Sequence, residues 1–218
     1  MPFTEWIFLF TVVLSIAWFY MISKSRVLLI AISVWTVIQV CLSLSGIYDD
    51  TEALPPPLLI YGILPAMVLT VFVLFNARGR RMIESINLRG LTYFHVIRIP
   101  VEIVLYLLYS QHLVSVYMSI EGTNFDIISG VTAPLVAYIA FPLTQHRKNL
   151  LLVWNAVGFL LLANVVITAV FAFPSPFQQL AFDQPNKALL HFPFSLLPTV
   201  VVPLVFLAHF IAFRRFSR

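Results

Sequence analysis

Arg98 and Glu102 are the residues of this chain whose types and spacing could do chemistry. They stand four apart inside the apolar run LTYFHVIRIPVEIVLYLLY at 91–109, a spacing that puts both on one helical face within reach of each other. A charge near the centre of a bilayer costs about 2.5–3.5 kcal/mol on insertion scales, so it persists where something offsets that cost. An arginine there can anchor an anion or hydrogen-bond a polar solute. A glutamate one turn on can act as counter-ion or proton carrier. His95 and Tyr109 extend the same face.

Further polar groups fall at comparable depth when the apolar runs are read as helices rising 1.5 Å per residue. Asn155 is level with Arg98, Gln39 lies near mid-depth, Asn164 lies beyond it, and His209 is level with His95, as is Thr70. Two accounts compete for this set. One is an interhelical network in which Glu102 neutralises Arg98 and Asn155 or Gln39 bonds it. The other is a polar cavity for a small polar or anionic solute. There Arg98 is the anchor, Glu102 the partner, Asn155, Asn164 and Gln39 the lining, and His95 and His209 the inner rim. The two histidines could also face each other as axial haem ligands.

A second cluster is Glu121, Asn124, Asp126, Asp183, Asn186 and His191, in the connecting segments SQHLVSVYMSIEGTNFD and FPSPFQQLAFDQPNKALLHFP. Carboxylates with a histidine could activate water or hold a divalent ion, which would make this a membrane enzyme with an outward-facing site. No HxxxH or HExxH spacing supports a metal site, and no metal ligand set or cofactor is predicted. The segments also read as turns with interfacial aromatics, or as a cover folded over the outer mouth.

The elements that must position these groups follow from composition. Hydrophobic residues make up 61% of the 218 and charged residues 10%, where soluble domains carry about 25% charged. The single cysteine, Cys41, excludes an intramolecular disulfide framework and a cysteine-rich metal site. Seven runs approach the roughly 20 residues that a crossing needs: 6–22, 27–47, 57–75, 91–109, 127–143, 150–173 and 194–213. Pro65, Pro100, Pro134, Pro198 and Pro203 interrupt them and free backbone carbonyls that need other partners.

Charge alternates between the loops. Of thirteen Lys and Arg, eleven (Lys24, Arg26, Arg78, Arg80, Arg81, Arg89, Arg147, Lys148, Arg214, Arg215, Arg218) fall on one side, Lys187 falls on the other and Arg98 lies within a run. The positive-inside rule places the N-terminus outside and the C-terminus in the cytoplasm. The net charge of +4 therefore marks membrane orientation and not nucleic-acid binding. The stretch RGRRMIESINLRG suits either a short interfacial helix or a solvated connector.

Two seven-span families are excluded by missing residues. Microbial rhodopsins carry retinal on a lysine in the last span, and 194–213 has none; alkaline-ceramidase-like hydrolases use an HxxxH pair that is absent. The runs EGTNFDIISGVTAP, WNAVGFLLLAN and FDQPNKALLHFPF resemble those of an uncharacterised family of multi-pass bacterial membrane proteins. That resemblance implies a bacterial inner membrane and no particular activity. The expectation is a single all-α domain, 1–218, of seven transmembrane helices that binds or translocates a small solute. An outward-facing enzyme and a structural subunit are the alternatives. Its partner is the lipid bilayer; a partner protein and the oligomeric state stay open.

Overall fold

The apolar runs fold as helices, and no strand occurs among the described residues. The structure, a computed structural model, describes residues 2–216; Arg218 and the side chain of Arg78, both counted in the charge pattern, lie outside what it describes. In chain order the α-helices are α1 (Pro2–Ser23), α2 (Arg26–Leu44), α3 (Leu64–Phe75), α4 (Ala77–Ser85), α5 (Leu88–Phe94), α6 (Arg98–Ser110), α7 (Ile127–Ala140), α8 (Gln145–Ala172) and α9 (Val202–Phe216).

Among the described residues six helical stretches are long and apolar enough to cross a bilayer: Phe3–Ser23, Arg26–Leu44, Leu58–Phe75, Leu88–Ser110, Gln145–Ala172 and Leu197–Phe216. The expected span at 127–143 falls short. Its helix, α7, ends at Ala140 after 14 residues, about 21 Å at 1.5 Å per residue against a hydrocarbon core of about 30 Å. Pro142 is the cause. A residue before proline is driven out of the α region, and Phe141 is extended at φ −113°, ψ 136°.

Helix α9 is the hub. Leu197–Phe216 has 72% of its most apolar window buried, against 17% for Arg26–Leu44. Helix α2 accordingly turns Val27, Ile30, Val34 and Val37 outward. Helix α9 packs on α8 and α3, while α5 and α6 pack on α1 and α7. Helix α1 buries a strip of small polar residues, Thr4, Thr11 and Ser15, the kind of surface that lets helices approach closely without aqueous solvent to drive them together.

Prolines set the local geometry. Pro65 and Pro203 each lack the N–H that would bond the residue four back, which frees the carbonyls of Tyr61 and Thr199. Beside them the backbone widens into π turns, Leu58–Ile63 and Leu197–Val201. Helix α2 captures both carbonyls from one face: Trp35 Nε1 donates to Thr199 O at 2.8 Å and Gln39 Nε2 donates to Tyr61 O at 3.0 Å. The Tyr48 hydroxyl donates to Gln39 Oε1 at 2.6 Å. Burial pushes that hydroxyl up to about 12, so it remains a donor at neutral pH. Gly62 lets the π turns meet, since a Cβ there would lie 2.5 Å from Thr199 Cγ2. Pro100 removes the donor for Val96 O in the same way, and the helix tightens into a 3-10 turn over His95–Ile97.

Long-range contacts define two ends of the bundle. At the basic end Arg214 donates to Leu74 O, and Arg215 donates to the carbonyls of Ile83 and Glu84. Helix α4 lies here with Ile83 buried and Arg80 and Arg81 exposed. At the far end Gln111 Nε2 reaches Thr4 Oγ1 at 3.4 Å, and His191 pairs with Asp49 at 3.0 Å. The segments 111–126 and 173–196 cover this end by bonding to each other. Ala188 N donates to Leu113 O at 3.0 Å, and Ser115 N donates to Asn186 Oδ1 at 2.8 Å.

Candidate functional site

Arg98 does not pair with Glu102 as the spacing suggests. The 3-10 turn and Pro100 place its guanidinium, 2% exposed, against the start of α7, where Nη1 donates to Asp126 Oδ1 at 2.6 Å. Nη1 also donates to Gly158 O on α8 at 3.2 Å. Nη2 lies 2.5 Å from His209 Nε2 on α9. Arginine has no acceptor, so Nε2 must accept and the ring proton sits on Nδ1, which donates to Asn155 Oδ1 at 2.8 Å. Asn155 Nδ2 returns to His209 O at 3.2 Å. One guanidinium thus ties α6, α7, α8 and α9 together. Gly158 permits it: a Cβ there would stand 3.1 Å from both His209 Cε1 and Ser129 Oγ.

Glu102 lies one turn nearer the far end, 7% exposed. Both its oxygens receive the same nitrogen, Asn124 Nδ2, at 2.9 and 2.8 Å, and that nitrogen also reaches Met118 O at 3.0 Å. Asn124 Oδ1 accepts from the backbone Asp126 N at 3.0 Å, so one amide joins the Glu102 carboxylate to the main chain at Asp126. Beside them is a cavity of about 150 Å³ between α3, α6, α8 and α9, roofed by Met118 and Leu189 from the covering segments. Its walls are apolar, Met67, Leu162, Val166, Pro203 and Phe206 among them, and Glu102 and Asp126 are the two charged residues that line it.

The remaining expected residues scatter. His95 and His209 are at one depth, as expected, but their rings are in contact at 4.4 Å between centroids. Both nitrogens of His209 are already engaged, which leaves no room for an iron macrocycle between the rings. Asn155 reaches Arg98 through His209 and not directly. Gln39 is buried but belongs to the clamp on Tyr61, and Thr70 bonds Ala66 O in its own helix. Asn164 is exposed and donates to Thr123 O at 3.0 Å, outside the cavity.

The second cluster does not assemble. Asn124 and Asp126 turn inward to Glu102 and Arg98. Asn186 is buried and bonds Ser115 N and Ala169 O. Glu121 and Asp183 are exposed, and His191 pairs with Asp49. No three His, Cys, Asp or Glu among the described residues come together as a metal site. The physical reason is demand: an arginine buried on α6 draws in the nearest carboxylate that a loop can deliver, which is Asp126 at the foot of α7.

Sequence reasoning missed Gly158 as an acceptor site and the apolar character of the cavity. The first had no signal, because a backbone carbonyl is invisible to residue type. The second requires the helix neighbours to be known. Neither the search of curated proteins nor that of solved structures gives a match. A family described as a domain of unknown function, DUF8737, matches residues 55–217, which is 163 of the 218 residues. The matched stretch holds Arg98, Glu102, Asn124, Asp126, Asn155 and His209 together, with α1 and α2 preceding it. The chain belongs to the DUF8737 family.

Proposed function

We propose that this is a multi-pass membrane protein that binds, and by extension translocates, a small amphipathic solute: apolar in body, with a cationic or hydrogen-bond-donating head. The observation that carries this reading is the cavity of about 150 Å³, whose walls are apolar and whose charged lining is Glu102 and Asp126. A ligand matched to it buries hydrocarbon against α3, α8 and α9 and points its head at the carboxylates. An anionic solute anchored on Arg98 fits less well, because Asp126, His209 and Gly158 already take up both terminal nitrogens of the guanidinium.

The same reading takes the basic end as cytoplasmic, following the positive-inside rule, in a bacterial inner membrane as the family resemblance implies. The short helix α7 serves as the fifth of seven crossings, with the bilayer thinned locally to meet it. The N-terminus is then outside, and the cavity lies beneath the outer covering segments.

The test is a head-group series on purified protein: hexylammonium, hexanol and hexanoate titrated calorimetrically into the parent and into Ala169→Phe, which fills the cavity. Binding in the order ammonium, alcohol, carboxylate, lost in Ala169→Phe, supports the reading. Equal binding of all three, or binding indifferent to the phenylalanine, contradicts it.

A further inference from the structure

We propose that Glu102 is a proton-exchange site: it carries a proton while the cavity is empty and surrenders it when a cationic head group arrives. The inference rests on reading the cavity as a solute site, and it adds that proton and solute compete for one carboxylate.

The argument is one of charge balance. The groups facing Glu102 can be named element by element. Helix α6 offers Arg98 one turn back, the segment before α7 offers Asn124, and the start of α7 offers Asp126. Helices α3, α8 and α9 and the roof present apolar side chains to the cavity. Behind Arg98 lie His209 and His95. His209 accepts from the guanidinium through Nε2, which fixes it as a neutral imidazole and removes it as a source of positive charge. His95 is fully buried with Nδ1 unpartnered, a setting that disfavours a charged ring, so the cluster holds one cation and two carboxylates.

Arg98 and Asp126, at 2.6 Å, form a neutral pair. Glu102 is left with a single amide nitrogen, shared among three acceptors. A carboxylate buried against hydrocarbon without a counter-charge is strongly disfavoured. The geometry leaves space on its cavity side for one positive charge, either a proton on the carboxyl or the head of a cation.

The exchange step balances. The O–H bond of the Glu102 carboxyl breaks, the proton passes to water at the outer side, and an N–H of the ammonium donates to the carboxylate left behind. One positive charge replaces another, and nothing is oxidised or reduced. Binding from one side and release to the other would make the protein a cation–proton exchanger.

Infrared difference spectroscopy on the intact protein tests this without requiring a ligand. The parent at neutral pH should show the C=O stretch of a protonated carboxyl that disappears in Glu102→Gln; Glu102→Asp, as a conservative second variant, should keep a shifted band. Adding hexylammonium should abolish the parent band and release about one proton per ion bound, read with a pH indicator in weak buffer. No protonated band in the parent, or the same band in Glu102→Gln, overturns the exchange. Binding without proton release overturns the exchange and leaves the solute site standing. A Glu102 band with no ammonium binding overturns the solute site, and the exchange with it.

Discussion

Arg98 and Glu102 stand one turn apart on the same helical face, yet one sits in a packed knot and the other at the edge of a space. Around Arg98 the Asp126 and His209 side chains and the Gly158 carbonyl converge from three other helices or their leading residues, and both terminal nitrogens are used. Around Glu102 a single amide does the bonding and apolar walls stand off. Both are ionisable and both are buried. The difference lies in charge balance: Arg98 has Asp126 as its counter-charge and Glu102 has none of its own. A buried charge whose partners are supplied by the fold holds helices together, whereas one whose partners fall short by a unit of charge is available to something that moves.

This contrast predicts unequal responses to mutation. Arg98→Leu leaves Asp126 as an unpaired buried carboxylate and should destabilise the protein by about 3–5 kcal/mol, seen as a large drop in thermal midpoint in detergent. An unchanged midpoint would show that the knot holds nothing together. Gly158→Val pushes into His209 and Ser129 and should cost about 1–3 kcal/mol, the range for overpacking, by the same measurement. Trp35→Phe removes the donor to Thr199 O and should cost about 0.6 kcal/mol, the average for a hydrogen bond within membranes. Glu102→Gln keeps an oxygen for Asn124 and puts a neutral amide where the empty protein holds a neutral carboxyl, so its midpoint should stay within about 0.5 kcal/mol of the parent. A fall as large as that of Arg98→Leu would erase the distinction between the two regions.

Much of this architecture could be read from residue order. The helical class followed from long apolar runs, and the shared depth of His95 and His209 followed from counting rise per residue. The run at 127–143 fell short because a proline sets where a helix stops more firmly than hydropathy does, as Pro142 shows at α7. The partner of Arg98 was misread because four-residue spacing makes Glu102 a possible neighbour, while Asp126 reaches it across 28 positions of chain. Spacing reports contacts within a helix only. The capture of Tyr61 O and Thr199 O by Gln39 and Trp35 was half legible: Pro65 and Pro203 announce freed carbonyls, but which helix answers them is a matter of packing.

The most direct measurement is the affinity of hexylammonium for folded Glu102→Gln beside the parent, at neutral pH in the same detergent. The present reading predicts that the parent binds and the variant, with its thermal midpoint retained, binds at least about tenfold more weakly, a difference of 1.4 kcal/mol. Equal affinity in the two proteins would contradict it.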